Sequence, residues 1–155
     1  MSVFPTRILL ASDGSKDADL ATTTALELAR DTGSELHIVL VEEPAYAYID
    51  PSGYPYFPDE ELEHELEQQA HMRLDAEVVK IRSAGGAVAE THLRLGSAAA
   101  AEIVDLAEEI GAGLVVIGSR GLGGMRRALM GSVSDSVVRH AHCPVMVVRP
   151  EKADS

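Results

Sequence analysis

The sequence has a single cysteine and no long apolar run. Because Cys143 is alone among the 155 residues, no disulfide can form within the chain, which is typical of proteins in a reducing compartment. Pro144 and an apolar run follow Cys143, which favours a packing role for the thiol over a reactive one. No apolar run approaches the roughly 18–20 residues of a membrane helix, and no signal-peptide pattern opens the chain. These absences predict a cytoplasmic protein.

Positive charge is also scarce. Thirteen lysines and arginines face 25 aspartates and glutamates, which gives a net charge of −12. This charge repels nucleic acids and anionic membranes, so neither is expected as the main partner. Residues 111–150 are the exception, with Asp135 as their single carboxylate and five arginines: Arg120, Arg126, Arg127, Arg139 and Arg149. We expect an anionic ligand there; arginines that only balance acidic helices are the alternative.

Apolar β-rich runs alternate with stretches of helical periodicity along the chain. The short apolar runs predict strands at 7–11, 36–41, 88–93, 114–117 and 145–148. Capping and stop signals predict four helices: one capped by Ser15 or Asp17 and stopped by Gly33, one from Asp59 to Gly85, one from Ser97 to Gly111, and one that begins at Gly131 or Ser132. The alternation predicts an α/β fold, a parallel sheet with helices on both faces. Residues 1–150 are expected to form one domain and 151–155 a flexible tail.

Three of the predicted strands end at residues suited to binding. Asp13 follows the first strand, Val41 ends the second, and Gly118 begins the loop after the fourth. Because ligands of parallel sheets lie beyond the carboxyl ends of the strands, the topology predicts that these positions converge on a ligand. Asp13 can accept a hydrogen bond from a ribose hydroxyl or an adenine amine, or orient a hydrated cation beside phosphates. A turn or helix-cap role is the alternative.

A glycine-rich loop after the fourth predicted strand is the strongest motif. It reads Gly118-Ser119-Arg120-Gly121, and nine residues later Gly131-Ser132 opens a helix. Glycine lets the backbone approach a ribose or phosphate closely, and the N–H groups of Gly131, Ser132 and Val133 lie at a helix start that favours anions. The hydroxyls of Ser132 and Ser134 can add bonds to phosphate oxygens. The spacing matches neither a P-loop nor a dinucleotide fingerprint, and glycines that only form turns are the alternative.

The segment from Glu42 to Pro58 breaks the alternation. It contains four prolines, all four tyrosines and one of the two phenylalanines. Long loops in compact domains are often functional, and this one can cover a base or contact a second subunit or an unidentified protein partner. The alternative is a loop that packs flat on its own domain, with aromatic side chains that serve only to bury apolar surface.

Three separated segments resemble the universal stress protein A superfamily, in its ATP-binding subgroup. The family signature Gly-x2-Gly-x9-Gly-Ser/Thr is matched by Gly118, Gly121, Gly131 and Ser132, and segments 8–15 and 142–148 are similar to the family's first strand and turn and to its closing strand. The resemblance implies a Rossmann-like five-stranded sheet of order 3-2-1-4-5 that binds ATP, with Mg²⁺ or Mn²⁺ held through the phosphates. It also implies a homodimer that pairs through strand 145–148.

The resemblance further implies where the nucleotide lies. Adenine is expected beside the end of the first strand, at Ala11, Ser12 and Asp13, and beside the backbone of Val41. Ribose and phosphates are expected at two groups of residues: Gly118, Ser119, Arg120 and Gly121 in the loop, and Gly131, Ser132, Val133 and Ser134 at the helix start. The segment 42–58 varies within the family, so its role stays open.

The candidate residues favour binding over catalysis. Phosphoryl transfer needs a positioned base and usually a metal, and Asp13 is the one carboxylate that the sequence places at the pocket. His140 and His142 fall on different helix faces, and His64 and His71 are expected to be solvated, so no metal site in the protein is predicted. We therefore expect a nucleotide-dependent regulatory module of the stress response. A slow ATP hydrolase and a nucleotide-independent protein-interaction domain are the alternatives.

Overall fold

Parallel strands form the main sheet, and helices pack on both of its faces. The computed structural model describes residues 2–43, 48–57, 59–119 and 131–150. The elements in these ranges are β1 (Arg7–Ala11), α1 (Lys16–Thr32), β2 (Glu35–Glu42), β3 (Tyr48–Ile49), β4 (Pro55–Tyr56), α2 (Glu60–Ser83), β5 (Glu90–Leu95), α3 (Ala99–Glu109), β6 (Leu114–Gly118), α4 (Ser132–His140) and β7 (Val145–Val148). No helix in these ranges is long and apolar enough to cross a membrane.

The main sheet has the order β5-β2-β1-β6-β7, and all its pairs are parallel. Numbered among themselves, these five strands have the predicted order 3-2-1-4-5, so the predicted fold class is confirmed. β1 lies at the centre because β2 and β6 pair with its two sides: Leu10 is opposite Ile38 on one and Val116 on the other. The chain leaves β1 toward β2 and later crosses to β6, which places the switch in strand order between β1 and β6.

Alternate residues of β1 serve two separate cores. Ile8 and Leu10 pack with α1 and α2, where Ala21 and Ala25 are fully buried and let α1 approach the sheet closely. Leu9 packs on the opposite face, in the cluster that α3 and α4 complete with the sheet. This two-sided burial explains why β1 is an uninterrupted apolar run and not an alternating one.

Capping residues set both ends of α1 and the start of α2. The Ser15 hydroxyl accepts a hydrogen bond from the N–H of Ala18 at 3.2 Å, so Ser15, and not Asp17, caps α1. Gly33, with a φ of 68°, ends that helix in the left-handed conformation that glycine tolerates best. Asp59 caps α2 as predicted, because its carboxylate accepts from the N–H of Leu62 at 2.8 Å. The predicted Ser97 cap is wrong: Ala98 is the N-cap of α3, and no side chain bonds to that helix start.

Two further predictions need correction. The segment 42–58 is not a plain loop, since β3 and β4 pair as an antiparallel hairpin. Its turn is closed by Asp50, whose carboxylate accepts from the N–H groups of Ser52 at 2.8 Å and Tyr54 at 3.1 Å. The strand predicted at 88–93 lies two residues later in the chain, as β5. The tail 151–155 lies outside the described residues.

Removing a side-chain oxygen is expected to affect stability unequally at the starts of α2 and α3. Asp59→Ala deletes the cap of α2 and is expected to lower the free energy of unfolding by about 1 kcal/mol. Ser97→Ala removes a hydroxyl that caps nothing and is expected to change it by less than about 0.5 kcal/mol. Urea denaturation of both variants measures the difference. An equal cost at the two positions would contradict the capping assigned to α3.

Candidate functional site

The end of β1 turns sharply into α1 at the carboxyl edge of the sheet. Ser12 is buried, and its N–H donates to the carbonyl of Val39 at 3.1 Å, which extends the pairing with β2 by one residue. Gly14 follows with a φ of 78°, and the carboxylate of Asp13 accepts from the N–H of Ser15 at 2.9 Å. The turn thus fixes the half-buried Asp13 at the switch in strand order, as predicted from the topology.

The backbone of Val41 faces the space above the end of β1. In a parallel strand, the N–H and C=O of successive residues point to alternate neighbours. The carbonyl of Val39 accepts from Ser12 on the β1 side, whereas the carbonyl of Glu42 accepts from the N–H of Gly96 on the β5 side. The N–H and C=O of Val41 therefore point to the β1 side, two residues beyond the end of that ladder. They form a donor and acceptor pair at the edge of the sheet.

Ser119 joins the end of β6 to the start of α4. Its N–H donates to the carbonyl of Val148 at 2.9 Å, which extends the pairing of β6 with β7. Its carbonyl accepts from the N–H of Gly131 and from the hydroxyl of Ser134, the latter at 3.1 Å. Because both acceptor bonds come from the first turn of α4, that helix begins directly at the carboxyl end of β6.

The start of α4 presents backbone donors at this edge. Gly131 is the N-cap, with no side-chain cap bond, and in the described part of the chain no group accepts from the N–H groups of Ser132 and Val133. The helix dipole adds partial positive charge there. The hydroxyl of Ser134 is buried and donates to the carbonyl of Ser119 or of Gly131. Gly131 and Ser134 therefore join the start of α4 to the end of β6. Their bonds to phosphate stay predictions.

The remaining predicted residues divide into two groups. Ala11, Ser12 and Gly118 lie at the ends of the adjacent strands β1 and β6, where Ala11 is opposite Ile117. Arg120 and Gly121 lie outside the described residues, as do Arg126 and Arg127, so their predicted part in the site is untested. The structure thus brings together the described candidates from β1, β2, β6 and α4 at one edge.

The sequence reasoning missed Glu42, a second carboxylate at this edge. Glu42 is the last residue of β2, one residue beyond the predicted strand end, and its carboxylate bonds to the guanidinium of Arg73 on α2. The prediction at 36–41 stopped at the last apolar residue, but the strand continues because Glu42 still pairs with Leu95 of β5.

Comparison with known proteins agrees with this architecture over nearly the whole chain. The model of the universal stress protein family matches residues 5–149. A protein of Staphylococcus haemolyticus named as a universal stress protein is 34% identical over 146 residues, which cover 94% of this chain and 85% of that protein.

Solved structures give the same result. The universal stress protein UspA from Lactobacillus plantarum has a TM-score of 0.77 at 28% identity, over 94% of this chain and 99% of that chain. The universal stress protein from Archaeoglobus fulgidus in complex with dAMP has a TM-score of 0.64 at 26% identity, over 92% and 96% of the two chains. With the family model matched across the domain, the chain belongs to the universal stress protein family.

Proposed function

We propose that this protein is an ATP-binding, homodimeric regulatory module of the stress response in the cytoplasm. The observation that carries the proposal is the convergence at the switch between β1 and β6. Asp13, the backbone of Val41 and the start of α4 lie around this switch, at the edge where parallel sheets bind nucleotides.

The groups at this edge match the two ends of a nucleotide. A donor and acceptor pair such as the Val41 backbone suits the edge of a base, and the adjacent Asp13 carboxylate suits an amine or a ribose hydroxyl. The N–H groups of Ser132 and Val133 suit phosphates, because a helix start combines free donors with a favourable dipole. The complex of the Archaeoglobus fulgidus relative with dAMP supports an adenine nucleotide as the ligand.

The carboxylates in the described part of this edge favour ATP binding without rapid hydrolysis. Asp13 accepts from the N–H of Ser15, and Glu42 is bonded to Arg73, so both carboxylates have structural partners. Mg²⁺ or Mn²⁺ would be held mainly by the phosphates, since one protein carboxylate and phosphate oxygens are an ordinary ligand set for these ions. ATP that loses its γ-phosphate within minutes in the presence of the pure protein would favour the hydrolase alternative.

The phosphate site can be tested by removing one backbone donor. Ser132→Pro deletes the N–H of the first residue of α4, where proline is tolerated because Gly131 already has a φ of −61° and a ψ of 157°. Titration calorimetry with magnesium and ATP is expected to show at least about a tenfold loss of affinity, because a hydrogen bond to a charged group is worth about 1.5–3 kcal/mol.

Two further variants complete this test. Glu60→Pro makes the same change at the first residue of α2, which lies outside the proposed site, and is expected to leave the affinity unchanged. Ser132→Ala removes the hydroxyl but keeps the N–H, so a smaller loss is expected. Wild-type protein that binds no ATP at millimolar concentration would refute the proposed function, and equal affinity in Ser132→Pro would remove α4 from the site.

The proposed dimer interface is the open edge of β7. The carbonyls of Pro144 and Val148 accept from β6, so the N–H and C=O groups of Val145 and Val147 point away from the sheet. All four residues of β7 are half-buried, and an apolar edge with unpaired backbone groups is suited to pairing with a second copy.

Removal of one outward N–H tests this interface. Val147→Pro leaves the ladder with β6 intact, because the N–H of Val147 points to the open edge. We expect the mass measured by light scattering to fall from two chains to one, whereas Val147→Ala, which keeps the N–H, remains a dimer. A wild-type monomer at micromolar concentration, or a dimer of Val147→Pro, would contradict pairing through β7.

One observation on the hairpin β3–β4 favours the alternative function, a protein-interaction domain. Tyr54, in its turn, and Phe57, just after β4, are 71% and 69% exposed, so they do not pack flat on the domain. Tyr54→Ser with Phe57→Ser separates the two functions. A partner whose binding is lost in this variant and does not respond to ATP would favour the hairpin as the functional surface.

A further inference from the structure

Four polar residues meet on one face of the sheet at the amino ends of β2 and β5. His37 is opposite Glu90, and His92 is opposite Val39 two positions along, so these three polar side chains project from the same face. Glu35 precedes His37 by two residues and shares that face. His37 is 5% exposed, in a layer that otherwise belongs to the apolar core under α3.

Three of these residues direct ligand atoms at one point. Nδ1 of His37 lies 3.3 Å from Nε2 of His92, and the Oε2 atom of Glu90 lies 4.0 Å and 3.9 Å from those two nitrogens. A point equidistant from the three atoms, in their plane, is about 2.2 Å from each, close to the roughly 2.0–2.2 Å of zinc bonds to nitrogen and oxygen. The two imidazole rings are stacked, with centroids 5.6 Å apart and an angle of 17° between their planes.

Glu35 orients the ring of His37 through Nε2, the ring nitrogen that does not face His92. Its Oε2 atom lies 3.2 Å from Nε2 of His37 and accepts at 3.2 Å from Nε of Arg7. A proton on Nε2 of His37, donated to the carboxylate of Glu35, leaves the lone pair of Nδ1 toward His92. Carboxylate–histidine pairs of this kind support metal ligands in proteins.

The chemistry of this set favours a transition metal over magnesium. Two imidazoles and one carboxylate suit Zn²⁺, whereas Mg²⁺ prefers oxygen ligands alone. Both imidazoles are largely buried, whereas Glu90 lies at the surface. The side chain of Glu90 is 62% exposed, which opens the fourth coordination position to solvent. The nearby Arg94 is neutralised by an ion pair with Glu109 on α3.

We propose that His37, His92 and Glu90 form a binding site for one Zn²⁺ ion per chain, with Glu35 as the positioning residue. The alternative is a hydrogen-bonded histidine pair, in which one ring carries the proton between Nδ1 of His37 and Nε2 of His92. Zinc takes the place of that proton, and His92 then carries its proton on Nδ1. The site is independent of the proposed nucleotide site, since His37 lies four residues, or about 13 Å, before Val41 along β2.

The test uses the full chain, ATP-free, with Zn²⁺ and Co²⁺ as probes. Calorimetry is expected to give one Zn²⁺ per chain, and bound Co²⁺ is expected to show the intense visible absorption of a four-coordinate site. Zinc is also expected to raise the melting temperature, since a ligand that binds only the folded state stabilises it. Wild-type protein that binds no Zn²⁺ at 100 μM, on the order of tenfold above a 10 μM dissociation constant, would refute the site.

Variants then assign the ligands. His92→Ala and Glu90→Ala are each expected to weaken Zn²⁺ binding at least about tenfold and to remove the Co²⁺ absorption. His71→Ala is the matched control, because it removes another histidine beside a carboxylate, Glu67, on the exposed face of α2. Retained binding in both ligand variants, or equal loss in His71→Ala, would overturn the proposal. Glu90 is exposed, so its variant decides the question even where His92→Ala does not fold.

Glu35→Gln tests the positioning residue. It keeps the shape of the side chain but removes the negative charge that orients His37. We expect about a 10-fold to 100-fold loss of Zn²⁺ affinity and an altered Co²⁺ spectrum, with the stoichiometry unchanged. An unchanged spectrum and affinity would show that Glu35 only pairs with Arg7.

Discussion

A strand buried on both faces can offer polar backbone groups to a ligand only where its hydrogen-bonded ladder ends. β1 is such a strand, because Ile8, Leu9 and Leu10 have no exposed surface and both of its neighbours pair with it. The ladder of β1 with β2 ends at the bond from the N–H of Ser12 to the carbonyl of Val39, whereas β2 continues to Glu42. The exposed backbone of Val41 and the turn at Asp13 are consequences of this early stop.

Short apolar strands were the most predictable part of the fold. β1 and β7 have the predicted bounds because an apolar run bordered by polar or turn residues leaves little freedom. The Ser97 cap failed since a serine near a helix start does not determine which residue ends the preceding turn. The hairpin β3–β4 was missed because its strands have two residues each, too few to show a period, although Asp50-Pro51-Ser52-Gly53 carried a turn signal.

Proximity along the chain misled the search for histidine pairs. His64 with His71 and His140 with His142 were weighed because they are neighbours in sequence. His37 and His92 meet only through strand register, 55 residues apart. The predicted strands 36–41 and 88–93 already contained both histidines, and pairing them in parallel would have placed the rings close together. The candidate site at the carboxyl edge was easier to find, because its residues are marked by glycine spacing and by the ends of predicted strands.

Ser119 determines where the donors of α4 lie. Its carbonyl bonds to the N–H of Gly131 and the hydroxyl of Ser134, so the two ends of the segment 120–130 are tied directly to each other. The position of the α4 donors relative to β6 is therefore set at the base of this segment, by Ser119 itself.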